Sequence, residues 1–268
     1  MPKGKRWTRE ELLLAMNLYC RLPFGKMDRR TAEVVQLAAV LDRTPSSVAM
    51  KLCNLASLDP AERKRGITGL TGASKTDKAI WQDFEDDWDT MMLRSEVLWQ
   101  QRVAGREDST GAQTEPQPQL QASDEVPEIP DLAETERAIE RMGRRGQDLF
   151  RRTVLSAYDS KCCITENPVP DLLVAGHILP WSESRRERLN PRNGLCLSRL
   201  HEAAFDRGLF TLDSDLRVVI SRELKDYLPN EALRGEFVRY EGEAIRSPEK
   251  FAPKAMFLEA HREQVFRG

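Results

Sequence analysis

Two of the three histidines lie close together in the second half of the chain, with an asparagine between them. His177 stands within residues 174–181, and Asn193 and His201 stand within residues 193–206. An imidazole with a pKa of about 6.5 is largely neutral at pH 7, so it can act as a general base or bind a divalent metal ion. A single histidine is more often structural, but two histidines around an asparagine indicate a catalytic or metal-binding site.

The residues around this set predict a strand–loop–strand–helix arrangement. An apolar run ending at Pro180 predicts a strand that contains His177, and the residues after Asn193 predict a second strand followed by a helix that bears His201. The loop between the strands is polar and rich in arginine. The predicted elements are a helix over 134–158, strands over 172–179 and 194–198, a helix over 199–205, and a hairpin over 209–213 and 217–221.

Three sequence elements together resemble the HNH endonuclease family, in the branch found among bacterial restriction and defence nucleases. They are GQDLFRRTVLSAY at 146–158, AGHILPW at 175–181 and NGLCLSRLHEAAFDRGL at 193–209. The resemblance implies the ββα-metal fold for a C-terminal nuclease domain over residues 133–268. In that fold a hairpin presents the general base, and the helix that follows presents a metal ligand.

The resemblance also implies roles for individual residues. His177 would be the general base that activates water, and Asn193 would orient the loop and the base or contact the metal. His201 would bind a divalent ion, Mg²⁺ or Mn²⁺, with Asn193 and Asp206 as further ligands. The metal would polarise the scissile phosphate and stabilise the leaving oxygen. Asp206 could instead cap a helix or bind an arginine.

The loop arginines are the predicted contacts to the DNA backbone, because phosphate contacts dominate nucleic-acid affinity. They are Arg185, Arg186, Arg188 and Arg192.

One position departs from the family pattern. Many HNH nucleases have an acidic metal ligand immediately before the general base, and this chain has Gly176 there. The metal would then depend on His201 and water, with help from Glu202, Asp206 or Asn193. The five cysteines form no CxxC pair, which argues against a four-cysteine zinc site and against a disulfide scaffold.

The N-terminal residues predict a separate helical domain over 1–104. Thr8 begins a capping box and Thr44-Pro45 is a strong helix start, so three short helices resemble a helix-turn-helix fold. The third helix would then read double-stranded DNA, and an ordinary helical bundle is the alternative. The predicted contacts are Ser47, Lys51 and Asn54 on one face of that helix, with Arg43 on a phosphate.

Two further segments complete the predicted organisation. One long helix is expected from about Ser74 to Arg102, with a cluster of acids between Asp83 and Asp89 on a solvated face. Residues 105–132 are rich in Gln, Pro, Ser and acids, which predicts a flexible acidic linker that lets the two domains take several relative positions. The fold class is therefore α+β.

Composition narrows the class of protein. The net charge of −2 conceals an uneven distribution, since residues 1–75 hold fourteen Lys and Arg against seven Asp and Glu. A basic N-terminal part favours a polyanionic partner. No apolar run approaches the roughly 20 residues of a membrane span, and no signal peptide is evident. We therefore expect a cytoplasmic protein that does not act at a membrane.

The leading hypothesis is a metal-dependent DNA endonuclease with a restriction or anti-phage role, whose target DNA could carry modified bases. Because one HNH site cuts one strand, double-strand cleavage would need a homodimer or two events. The alternative is a DNA-binding regulator with an inactive HNH fold. RNA as the substrate is a third hypothesis.

Overall fold

The N-terminal helices begin where the sequence supplies side-chain caps. Helix α1 (Arg9–Arg21) follows Thr8, whose hydroxyl and backbone both take part in a capping box with Glu11. Helix α2 (Ala32–Leu41) comes next, and α3 (Pro45–Ala56) begins with Thr44 as the cap and Pro45 as the first helical residue. Both predicted helix starts are confirmed.

The computed structural model describes residues 6–64, 73–103, 132–180 and 186–268, and no side chain within 132–142. The predicted linker, 105–132, lies outside the described residues except for Leu132, where a helix begins, and Arg185 also lies outside them. After α3 come helices α4 (Pro60–Lys64), α5 (Lys75–Asp86) and α6 (Trp88–Arg102). No helix in the described part of the chain is long and apolar enough to cross a membrane.

The single long helix predicted from Ser74 to Arg102 is wrong, because the structure has two helices there. Asp87 has φ −153° and ψ 83°, so it ends α5, and its side chain accepts a hydrogen bond from the backbone N–H of Thr90. An aspartate that caps the next helix competes with helix continuation.

The C-terminal part combines two small antiparallel sheets with helices, which confirms the α+β class. Strand β1 (Leu173–His177) pairs with β2 (Gly194–Ser198), and His177 lies opposite Gly194. Strands β3 (Phe210–Leu212) and β4 (Val218–Ile220) form the predicted second hairpin. The helices are α7 (Leu132–Ala157), α8 (Arg199–Asp206), α9 (Arg222–Lys225), α10 (Glu231–Glu236) and α11 (Ala255–Gln264).

The N-terminal helices and the C-terminal part share a core in this structure. Phe251 packs edge-on against Tyr19 of α1 and against Trp88 of α6, with ring centroids 5.4 and 5.3 Å apart. Its backbone N–H donates to the buried carboxylate of Asp59, 2.9 Å away. The domain boundaries stay a prediction, but the structure holds the two parts together through buried contacts.

Lys250 adds a buried charge to this junction. Its ammonium group donates to the backbone carbonyl of Tyr19, to that of Cys20 at 3.1 Å and to that of Leu22 at 2.7 Å. These carbonyls lie at the C-terminal end of α1, where carbonyls lack helical partners and a cation is favourable. Burial lowers the pKa of Lys250 to about 8, so the lysine is still mostly protonated at pH 7.

Replacing Lys250 by methionine should destabilise the fold, because three buried carbonyls would lose their donor. We expect a loss of roughly 2–4 kcal/mol in the free energy of unfolding, measured by chemical denaturation. The matched control is Lys225→Met, which removes a half-exposed ammonium paired with Glu241 and should cost less than about 1 kcal/mol. Equal effects of the two substitutions would contradict a special role for Lys250.

Candidate functional site

The β1–β2 hairpin lies between two helices, and glycine allows one of them to approach closely. A Cβ atom at Gly194 would lie 2.4 Å from Cγ2 of Val154 and 2.9 Å from Cζ of Phe150, both on α7. Only glycine fits that distance without displacing side chains. On the opposite face, a Cβ at Gly176 would lie 3.3 Å from Cγ of Glu202 on α8.

His177 is held at the end of β1 by a hydrogen bond and a ring contact. Its Nε2 lies 2.9 Å from the carbonyl oxygen of Arg188, and its ring stacks on Phe150 with centroids 3.9 Å apart. A carbonyl can only accept, so Nε2 carries the proton and Nδ1 is the basic nitrogen. Burial lowers the pKa of His177, and the bond to Arg188 opposes this only partly. The imidazole is therefore neutral at pH 7, as a general base must be.

Asn193 organises the loop from inside. Its side-chain oxygen accepts from the backbone N–H of Leu179 at 2.8 Å, and its Nδ2 donates to the carbonyl of Glu187 at 3.1 Å. Its backbone carbonyl accepts from Ile178 at 2.9 Å. The residue is 1% exposed, so these contacts connect the end of β1 to the loop and keep the side chain away from solvent.

His201 lies inside the fold, and both ring nitrogens have partners. Its Nε2 donates to the carbonyl of Glu236 at 2.8 Å, and its Nδ1 lies 2.7 Å from the hydroxyl of Ser198. The residue is 1% exposed, and burial lowers its pKa. A metal bound through His201 would have to replace one of these hydrogen bonds, so the structure does not support the predicted role as a ligand.

Two acidic residues of α8, Glu202 and Asp206, face the surface beside His177. Glu202 and Asp206 are one helical turn apart, so they lie on one face of α8. Partial burial raises the pKa of the Asp206 carboxyl to about 6, and the neighbouring charge of Glu202 adds to this. Both line a surface pocket with His177, whose other lining residues are Ala175, Ile178, Pro180, His261 and Val265.

Two carboxylates suit a hard divalent cation such as Mg²⁺ or Mn²⁺ better than a soft metal ion. Mg²⁺ commonly binds through one or two carboxylates and keeps several waters or takes substrate phosphate oxygens. In the described part of the chain no group of three His, Cys, Asp or Glu side chains could hold a metal ion. The pair Glu202 and Asp206 therefore fits an ion that relies on water and phosphate for its remaining ligands.

The loop arginines do not all face solvent. Arg186 is exposed and Arg188 is half-buried. Arg192 is 9% exposed, and its guanidinium lies 2.9 Å from Glu85 and 3.8 Å from Asp59. Its charge is thus directed into the N-terminal helices, and a role in holding phosphate is not available to it in this arrangement.

Several predicted contacts of the third helix are also turned inward. Lys51 pairs with the buried Asp77 at 2.7 Å, because this face of α3 packs on the start of α5. Asn54 is buried, and Arg43 forms two hydrogen bonds with Glu11. Ser47 is half-buried on α3 and stays a predicted DNA contact.

Sequence reasoning missed two residues that hold His177 and its loop. Phe150 lies in the GQDLFRRTVLSAY element, which carried the resemblance but gave no sign of stacking on His177. Asp89 belongs to the acidic cluster that we expected to be solvated, yet its Oδ1 accepts from the backbone N–H of Leu189 at 2.7 Å. The periodicity of α6 gives no signal for that contact.

Comparison with known families agrees with this geometry. Residues 162–213 match the family described as HNH endonuclease. These residues contain β1, the loop, β2 and α8, so the matched segment is the one that carries His177, Asn193 and His201. Nucleases of the HNH type generally use a divalent metal ion, and the type implies DNA as the substrate. A search of curated proteins finds no match to the chain.

The pocket-lining His261 should make stability depend on pH. It is 2% exposed, its Nε2 donates to the carbonyl of Phe205 at 3.1 Å, and burial lowers its pKa from 6.5 to about 4. The imidazole binds a proton more readily in the unfolded chain than in the folded protein. The free energy of unfolding should therefore fall as the pH drops from 6.5 to about 4, by about 3 kcal/mol in total. Chemical denaturation at a series of pH values measures the loss.

The matched variant is His261→Gln, whose amide can still donate to the Phe205 carbonyl but does not titrate. We expect its stability to vary less between pH 6.5 and 4 than that of the parent protein. An identical pH dependence in the two proteins would assign the effect to other groups.

Proposed function

We propose that this protein is a metal-dependent DNA endonuclease that hydrolyses phosphodiester bonds, with His177 as its general base. The observation that carries the proposal is the fixed Nε2–H of His177 beside a pocket that also contains Glu202 and Asp206. A neutral imidazole, a carboxylate pair and an exposed arginine on the loop provide the groups that hydrolysis of a phosphodiester requires.

Each of these residues would have a separate role in the reaction. Nδ1 of His177 accepts a proton from the attacking water, and the Nε2–H bond to Arg188 keeps the ring oriented while it does so. Stacking on Phe150 restricts the ring to one plane. Arg186, which is exposed on the same loop, would contact the DNA backbone. Asn193 is a positioning residue, because its contacts are to the loop.

Glu202 and Asp206 would hold the divalent ion, Mg²⁺ or Mn²⁺. When bound, the ion would polarise the scissile phosphate and offset the charge of the leaving oxygen. Gly176 supports this assignment, since the absence of a side chain on β1 leaves the space into which Glu202 extends. An acid supplied by α8 would thus replace the acid that many family members supply from β1.

The biological role that we propose is restriction or anti-phage defence in the cytoplasm, with the N-terminal helices helping to locate DNA. Its support is the sequence resemblance and the basic N-terminal part. A cleavage panel of unmodified, methylated, glucosylated and phosphorothioate DNA tests whether the target must be modified. Binding without cleavage on every substrate would favour the regulator with an inactive fold.

Replacing His177 by alanine should abolish most cleavage while DNA binding persists. A positioned general base contributes on the order of 10²–10⁴-fold, so we expect kcat to fall by that factor. Plasmid nicking with Mg²⁺ or Mn²⁺ measures the rate, and a mobility shift measures binding. In the parent protein, activity should rise as His177 deprotonates, with a midpoint below pH 6.5 because burial lowers its pKa.

The matched control is His201→Gln, whose amide can still donate to the Glu236 carbonyl. We expect a lower melting temperature but an unchanged metal concentration for half-maximal cleavage. A large increase in that concentration would restore His201 as a ligand and contradict our assignment.

Moving the acid from α8 to β1 should preserve metal-dependent cleavage. Glu202→Ala should raise the metal concentration for half-maximal cleavage, and adding Gly176→Asp should lower it again, because the two side chains share one space. The measurement is a metal titration of plasmid nicking. Glu259→Ala, an exposed carboxylate on α11, should leave the titration unchanged, and failure of the double variant to recover would argue against the shared site.

A further inference from the structure

Asp89 connects the N-terminal helices to the loop that holds the base. It lies half-buried in the first turn of α6, and its Oδ1 accepts from the backbone N–H of Leu189 at 2.7 Å. The contact joins residues one hundred positions apart in the sequence.

The N–H of Leu189 and the carbonyl of Arg188 belong to the same peptide group. That carbonyl accepts the proton on Nε2 of His177 at 2.9 Å. The structure therefore contains one continuous chain of hydrogen bonds, from the Asp89 carboxylate through a peptide to the imidazole. Such chains polarise each member, so a carboxylate on the N–H side makes the carbonyl a stronger acceptor.

The same loop has a second anchor on the N-terminal helices. Arg192 forms its ion pairs with Glu85 of α5 and with Asp59, which follows α3. Asp59 is itself fixed by hydrogen bonds from the backbone N–H groups of Ala61 and Phe251, each 2.9 Å long. The peptide beside His177 is thus held from outside the nuclease domain, in addition to the internal contacts of Asn193.

We propose that Asp89 is a positioning residue for His177, acting through the Arg188–Leu189 peptide group to keep the proton on Nε2 and the lone pair on Nδ1. Helix α6 of the N-terminal part then completes the nuclease site. The inference rests on the proposed role of His177 as the base. The hydrogen-bond chain itself can be measured without any cleavage.

If Asp89 only stabilised the fold, its replacement would have a different effect on His177. An acid in the first turn of a helix interacts favourably with the helix dipole, so its loss would lower stability. It would not change which nitrogen of a distant histidine carries the proton. The tautomer of His177 is therefore the measurement that separates the two roles.

The experiment uses the full chain with ¹⁵N-labelled histidine, whose three imidazoles are followed by NMR. The signals of His177 are those that disappear in His177→Ala. In Asp89→Ala we expect His177 to become a mixture of tautomers while the signals of His201 and His261 stay in place. We also expect kcat for DNA cleavage to fall on the order of 10- to 100-fold with little change in KM.

Asp89→Asn tests whether the acceptor is what matters, since its amide oxygen can still accept from Leu189. We expect it to keep the Nε2–H tautomer and most of the rate. The control is Asp86→Ala, an exposed carboxylate at the end of α5 that accepts from Gln82 and should leave His177 unchanged. If Asp89→Ala does not fold, Asp89→Ser supplies the same test, because serine is tolerated in a first helical turn.

An alanine or serine variant in which His177 keeps its Nε2–H tautomer overturns the inference, as does an asparagine variant that loses that tautomer to the same extent. The parent protein separates this inference from the nuclease proposal. If it cleaves no DNA but the tautomer responds to Asp89, positioning stands and the nuclease function fails. If it cleaves DNA and the tautomer does not respond to Asp89, the nuclease function stands and the positioning role of Asp89 fails.

Discussion

The bond from Nε2 of His177 to the Arg188 carbonyl is the interaction on which the site depends. It fixes the tautomer, and it does so only while the loop carrying Arg188 stays at hydrogen-bonding distance from the end of β1. Residues 186–193 contain no strand, so a sheet ladder cannot hold that distance. Asn193 holds the loop from within, and Asp89 and Glu85 hold it from α6 and α5.

Two glycines determine how closely the helices approach the β1–β2 hairpin. Gly194 lets α7 approach the hairpin until Phe150 can stack on the base, and Gly176 leaves room on the opposite face for Glu202. A side chain at Gly194 would separate the hairpin from α7, and one at Gly176 would compete with Glu202 for the same space. The two faces of β1 therefore have different neighbours, since Phe150 of α7 stacks on His177 and Glu202 of α8 lies beside Gly176.

Short sequence patterns predicted the helix starts and strands well, because these features depend on residues that are close together in the chain. Strand β2, the caps at Thr8 and Thr44, and the second hairpin follow from propensity and periodicity. The site was less predictable, since neighbouring helical positions differ by about 100° in direction. That offset directs His201 into the core and Glu202 towards the pocket. Contacts such as Asp89 with Leu189 leave no local pattern to detect.

Buried charges make the junction between the two parts specific. Lys250, Asp59 and Arg192 are each at most 9% exposed, and each has at least one partner in the other part of the chain. Separating the parts would remove those partners, and an unpaired charge that stayed buried would cost several kcal/mol. Hydrophobic contacts alone would allow the two parts to shift relative to each other, because such contacts have no preferred direction. These polar contacts require one relative position of the two parts. The same arrangement brings Asp89 of α6 to the backbone N–H of Leu189, in the loop whose Arg188 carbonyl accepts from His177.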